Sequence, residues 1–156
     1  MRDIQTVVDG LRAHTESGCF ACGPDNPIGM KVDEFAIEGD DVTASFEARH
    51  EFQGTTGSLH GGISATALDE ILVWAGILQH DVLSVTAKME VRYHRPVATT
   101  DSSRLLVRAR VDDRSGKRLK ISGELEGPDG RKSVSASGLY LVTHEIEEIL
   151  AAEVSG

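Results

Sequence analysis

His60-Gly61-Gly62-Ile63-Ser64-Ala65-Thr66-Ala67-Leu68-Asp69-Glu70-Ile71-Leu72-Val73-Trp74-Ala75-Gly76-Ile77-Leu78 joins a glycine turn to an apolar run that carries two acids. From Ile63 to Leu78 there is no proline, and apolar residues fall on nearly every side of a 3.6-residue period, so the run reads as a buried helix. At about 100° per residue, Asp69 shares a stripe with Gly62, Ala65, Leu72 and Gly76, while Glu70 lies with Ile63, Ala67, Trp74 and Ile77. Neither stripe is polar. An ionised carboxylate there is costly unless it is paired, opens on a cleft or shifts its pKa, which makes both acids candidates for chemistry. The first helical turn leaves N–H groups unpaired at a positive dipole end, and Gly61 and Gly62 let a ligand approach the backbone closely, so a carbonyl oxygen can dock there. Removing one such donor typically costs about 3–4 kcal/mol of barrier, and a positioned base contributes roughly 10²–10⁴-fold, which together suffice for ester-type hydrolysis. The same residues also suit a tight strand-to-helix turn with two structurally satisfied acids, and the sequence alone leaves that alternative open.

Upstream, Met30 to Ile37 and Asp41 to Arg49 alternate apolar and polar residues around Gly39-Asp40 and predict a hairpin, with Glu51 to Ser58 as the loop into the glycine pair. Downstream, Val85, Ala87, Met89, Val91 and Tyr93 are expected to point one way and Lys88, Glu90, Arg92 and His94 the other, in a half-buried strand ending at Pro96. Arg104–Val111, Arg118–Leu125 and Lys132–Val142 continue the alternation across two turns, and His144 to Val154 reads as a short helix or tail. A strand pair, one long apolar helix and a four-stranded meander predict an α+β fold with the helix on one sheet face. The other face and two edges would be covered by a second copy through an isologous interface.

At 156 residues, with 40% apolar and 26% charged residues, the chain suits one soluble domain with a core of its own. Met1 to Gly18 places Ile4, Val7, Val8 and Leu11 at helical spacing without a continuous apolar stretch, so no secretory signal is read and a cytoplasmic protein is expected. Ile63 to Leu78 falls short of the ~20 residues that cross a bilayer, which argues against a membrane span. A net charge of −9 argues against nucleic acid as a partner. Local basic groups, Lys88, Arg92, His94 and Arg95 among them, leave anionic small molecules open. Cys19 and Cys22 form a lone Cys-x-x-Cys; a zinc site would need further ligands from elsewhere, so two reduced thiols and no metal are expected.

Taken together, these segments resemble the hotdog-fold acyl-CoA thioesterases, specifically the PaaI-like group: His60-Gly61-Gly62 before a buried helix, Asp69 nine residues past the histidine, and then an antiparallel sheet. Thr86-Ala87-Lys88-Met89-Glu90-Val91-Arg92-Tyr93-His94-Arg95-Pro96 is similar to the first strand after the helix. Cys19-Phe20-Ala21-Cys22-Gly23 with Asn26-Pro27 is similar to the opening of one subgroup. The resemblance spans Cys19 to Val142. It implies a single domain over residues 19–143, flanked by a helical extension (1–18) and a short helix or tail (144–156). It further implies a curved antiparallel sheet around one helix, a homodimer often paired again into a tetramer, interfacial active sites, and neither metal nor separate cofactor.

By position, the resemblance implies that the Gly61 amide polarises a thioester carbonyl, with His60 and Gly62 shaping the pocket. Asp69 from the other subunit would be general base or nucleophile, Thr86 would hold the water or the acid, and Glu70 would be structural. Relatives place an amide side chain six residues before the histidine, where this chain has Gly54; the adjacent Gln53 is its expected substitute. Arg92, Arg95 and Lys88 are expected contacts for the CoA portion. Two other readings share the architecture: a hydroxyacyl-thioester dehydratase or hydratase, and a non-catalytic acyl-CoA binder.

Overall fold

A computed structural model describes residues 3–14, 17–99 and 103–152. In chain order the elements are α1 (Ile4–His14), β1 (Asp33–Glu38), β2 (Asp41–Glu47), α2 (Gly61–His80), β3 (Val82–Tyr93), β4 (Arg104–Ser115), β5 (Arg118–Glu126), β6 (Lys132–Glu145) and α3 (Ile146–Ala152). The six strands form one antiparallel sheet in the order β1-β2-β4-β5-β6-β3. Helix α2 packs against β2 through β6, so the sheet wraps a single long helix, which is the hotdog fold.

The core follows from the apolar run. Leu68, Ile71, Leu72 and Ala75 of α2 are fully buried, as are Leu105, Val107, Leu119 and Leu125 of the sheet. Burying a side chain of this size contributes about 1.5–3 kcal/mol. Close approach has a specific requirement at Gly123, where a Cβ would sit 2.5 Å from the Arg108 carbonyl oxygen and 2.9 Å from Leu72 Cδ1. At its C-terminus α2 stops on Asp81, in the left-handed conformation (φ 54°, ψ 37°), whose N–H returns to the carbonyls of Gly76 and Ile77.

Several expectations change. Helix α2 runs for 20 residues, long and apolar enough by length and composition to cross a membrane, so the argument from a shorter segment fails. What assigns it to the core is its packing in the sheet. The strands after α2 are not a four-stranded meander: β4, β5 and β6 are consecutive neighbours, but β3 lies at the far edge, paired with β6 instead of β4. The first strand begins at Asp33, because the Met30 and Val32 amides bond to the carbonyls of Phe20 and Ala21 in the cysteine loop. Helix α3 ends at Ala152; residues 1, 2, 15, 16 and 153–156 of the expected flanking segments lie outside the described residues.

The largest departure is a bulge in β3. Thr86 pairs with Tyr140 but Lys88 pairs with Leu139, so one extra residue interrupts the two-residue alternation. Val82, Ser84 and Thr86 therefore share the helix side with Met89, Val91 and Tyr93. Val85, expected inside, is instead 53% exposed.

Candidate active site

The tip of α2 is built by its N-cap and its first two residues. His60 is the N-cap, extended at φ −61° and ψ 132°, and its Nδ1 accepts the Gly62 amide at 2.9 Å. An accepting Nδ1 carries no proton, so the neutral ring holds its hydrogen on Nε2 and can donate it outward. Gly62 is thereby engaged within the chain, whereas the Gly61 amide has no acceptor among the described residues. The Tyr93 hydroxyl donates to the Gly61 carbonyl at 2.6 Å, and a Cβ on Gly61 would stand 3.3 Å from the Tyr93 ring. A cleft of about 370 Å³ opens beside this tip, lined by Leu59, Gly61, Ser64, Tyr93, Arg95 and Val97 among others.

Two turns along the same helix, Asp69 is half-buried against the sheet. Its Oδ1 accepts the Thr86 hydroxyl at 2.7 Å and the Tyr140 hydroxyl at 2.9 Å. Both donors meet one oxygen, leaving Oδ2 without a donor among the described residues and able to orient or deprotonate a water. Burial, followed by the Asp69 charge and hydrogen bond, pushes the Tyr140 phenol well above its ordinary range, so it stays a donor at every working pH. Tyr140→Phe should lower kcat about tenfold or more and leave KM nearly unchanged, since a hydrogen bond to a charged group contributes about 1.5–3 kcal/mol. Steady-state kinetics with the KM and kcat effects separated check this.

The family resemblance names Thr86 for the site, whereas Tyr140 and Tyr93 carry no site role in the sequence. The β3 bulge turns Thr86 to the helix side, and the β3–β6 pairing sets Tyr140 opposite it. An aromatic hydroxyl in a buried strand was the available signal. The expected CoA contacts separate: Arg95 lines the cleft beside Gly61, whereas Lys88 and Arg92 fall on the sheet face away from α2, and Arg92 there shares a groove with Arg108 and Arg110. The Gln53 carboxamide is held by its own loop, through the Gly57 amide at 3.2 Å and His50 Nε2 at 3.0 Å. At Gly54 a Cβ would meet His60 Cα at 3.3 Å and Cδ2 at 3.4 Å, so an amide side chain there would crowd the histidine.

Glu70 turns to a different neighbourhood. Its Oε1 accepts the Trp74 indole N–H at 2.7 Å, one helical turn on, and Cys19 Sγ faces its Oε2 at 3.7 Å. Burial, with the Cys19 charge next, pushes its carboxyl up to about 7 from an ordinary 4.5. The Cys22 thiol is also raised, by hydrogen bonding to Cys19, by burial and by the Glu70 charge. An acid raised in the fold contributes stability that is full below its unfolded pKa and lost as pH rises through the folded one. In chelator-containing buffer, the Tm of Glu70→Gln minus that of wild type should therefore increase between about pH 5 and about pH 8. A difference independent of pH, read by thermal melts, would contradict the assignment.

Residues 56–134, from the glycine loop through β3, β4 and β5, match the family model described as the thioesterase superfamily. A solved thioesterase superfamily protein is 28% identical over 78% of this chain with a TM-score of 0.66, and the chain spans 61% of that protein's length. A thioesterase from Haemophilus influenzae is 15% identical, with a TM-score of 0.71 and coverage of 94% of this chain and 93% of its own. A hypothetical thioesterase solved with coenzyme A, from Streptococcus pneumoniae, is 17% identical, with a TM-score of 0.62 and coverage of 72% and 86%. No curated protein matches the sequence. Because that family model matches half of its length, the chain belongs to the thioesterase superfamily.

Proposed function

We propose that this protein is a cytoplasmic acyl-CoA thioesterase of the PaaI-like group, active as a homodimer that pairs again into a tetramer, with no catalytic cofactor for hydrolysis beyond the CoA of its substrate. The observation that carries the reading is the spacing of two unsatisfied groups on α2. The Gly61 amide and Asp69 Oδ2 each lack a partner among the described residues. Eight residues separate them, about 12 Å along a helix axis, too far to act on one carbonyl carbon. They meet on a single substrate only if the amide comes from one copy and the carboxylate from another.

Edge strand β3 supports that assembly. Its outer backbone edge is open to pairing, Thr86 on it touches Asp69, and Tyr93 on it touches Gly61, so a second β3 laid antiparallel brings each tip toward the other copy's acid. On the sheet face away from α2, the register partners Val85 and Leu141 are 53% and 39% exposed, an apolar pair suited to the contact between dimers.

In the proposed reaction the thioester oxygen accepts the Gly61 N–H and the His60 Nε2–H. Asp69 Oδ2 takes a proton from water as the water oxygen bonds to the acyl carbon; the C–S bond then breaks, and the thiolate, a good leaving group, collects that proton, giving free acid and CoA thiol. In the nucleophilic alternative Asp69 Oδ2 itself bonds to the acyl carbon as the C–S bond breaks, and water then hydrolyses the resulting acyl-aspartyl anhydride, releasing the acid and supplying the thiolate's proton. Arg95, at the cleft, is placed for the anionic CoA chain. The CoA held by the Streptococcus pneumoniae relative supports this substrate class. A thiol-release screen across aryl-acetyl, hydroxybenzoyl and medium-chain acyl-CoAs tests the reading. Enoyl absorbance without thiol release, or binding without turnover across the panel, would overturn it.

A further inference from the structure

The hydrolytic site does not use Cys19, Cys22 or Glu70, yet the fold brings them together. Their sulfur and carboxylate atoms all lie within 4.8 Å of one another. We propose that these three side chains hold a thiophilic divalent cation of the zinc class, tying the N-terminal loop to the catalytic helix one residue from Asp69. The Cys-x-x-Cys turn is a built element. Gly23 N–H bonds to the Cys19 carbonyl at 2.9 Å, and a Cβ on Gly23 would lie 2.4 Å from the Cys19 nitrogen and 2.5 Å from the Ser17 carbonyl oxygen, so only glycine lets the turn close. Lys31 Nζ bonds the carbonyls of Gly23 and Pro24 at 3.1 and 2.8 Å, holding the far side of the loop.

The carboxylate is oriented as an outer partner would orient a ligand. Trp74 holds Oε1 at 2.7 Å and is itself fixed by stacking on Phe35 at 4.4 Å between ring centroids, which turns Oε2 toward the thiols. Zinc–sulfur and zinc–oxygen bonds of about 2.3 and 2.1 Å in a tetrahedron require donor pairs about 3.4–3.8 Å apart, so small side-chain adjustments complete the set. Cys19 is only half-buried, which leaves the fourth position to solvent. Two sulfurs with one oxygen select zinc over magnesium or calcium, whose sites are made of oxygen.

The test uses the full chain under reducing conditions. Elemental analysis of freshly purified protein should find about one zinc per chain, and chelator-treated protein titrated with Co²⁺ should develop a thiolate-to-cobalt charge-transfer band that saturates near one equivalent. Cys22→Ser should abolish the band, Glu70→Gln should weaken Co²⁺ binding at least tenfold, and Trp74→Phe should weaken it about 10–100-fold, with circular dichroism confirming that each variant is folded. Substoichiometric metal with no cobalt band in the wild-type protein would overturn the site. Wild-type affinity in Glu70→Gln would equally remove the carboxylate from it. None of these readouts depends on turnover, so the metal can fail while hydrolysis stands, and the reverse.

Discussion

Asp69→Asn is expected to lower kcat for acyl-CoA hydrolysis by about 10²–10⁴-fold, the contribution of a positioned general base, while the melting temperature stays close to that of wild type. The reason lies in how the carboxylate is held. Thr86 and Tyr140 both donate to Oδ1, and asparagine can present its carbonyl oxygen to the same two hydroxyls. The substitution thus keeps the structural bonds and replaces Oδ2, the oxygen proposed to act on water, with an amide nitrogen that cannot take a proton. Single-turnover kinetics with a thiol-detecting reagent, beside a thermal melt, separate chemistry from folding. If Asp69→Asn turns over a good substrate at the wild-type rate, the carboxylate has no catalytic role.

Gly61→Pro should cost about 10²–10³-fold in kcat, because it deletes the one amide at the helix tip that has no acceptor among the described residues. Proline matches the backbone here, with the Tyr93 ring, 3.3 Å from where its Cβ would sit, giving way by a few tenths of an ångström. Gly61 is the first helical residue, where a missing N–H disturbs no intrahelical bond, and His60 is already extended at φ −61° and ψ 132°, as a residue before proline must be. Mixing the two disabled proteins gives the decisive result. A dimer with one Asp69→Asn chain and one Gly61→Pro chain has one site carrying both lesions and one carrying neither. Random exchange in an equal mixture should therefore recover about a quarter of wild-type activity. Recovery fails if each chain completes its own site, so a mixture no more active than its components would refute the shared-site mechanism.

Much of this is legible in the sequence alone. The apolar run from Ile63 names the central helix, its missing solvent stripe says that it is buried, and the glycines after His60 mark an open helix tip; that the sheet curves around the helix comes only from the family resemblance. The chemistry at Asp69 was legible only in part, since its two hydroxyl donors come from strands whose adjacency is not consecutive. A reader of alternation alone turns Thr86 outward, because a bulge shifts parity without any residue type that announces it. The meander reading failed for a related reason. Alternating strands declare that they are strands, not which neighbour they choose, and β3 crosses the sheet to reach β6. Glu70 and the cysteines are 51 residues apart at Cys19, a distance over which spacing carries no pairing information.

The placement of β3 beside β6 bears on the order in which the molecule matures. Asp69 and Thr86, 17 residues apart, can find each other as soon as the central helix and the following strand have left the ribosome, but Tyr140 follows Asp69 by 71 residues. Non-local pairings of this kind form late because the intervening chain must first be closed into a loop. The nascent chain therefore carries its acidic side chain half-satisfied until the final strand emerges, and the proposed hydrolytic site is complete only once that strand joins β3 to the rest of the sheet.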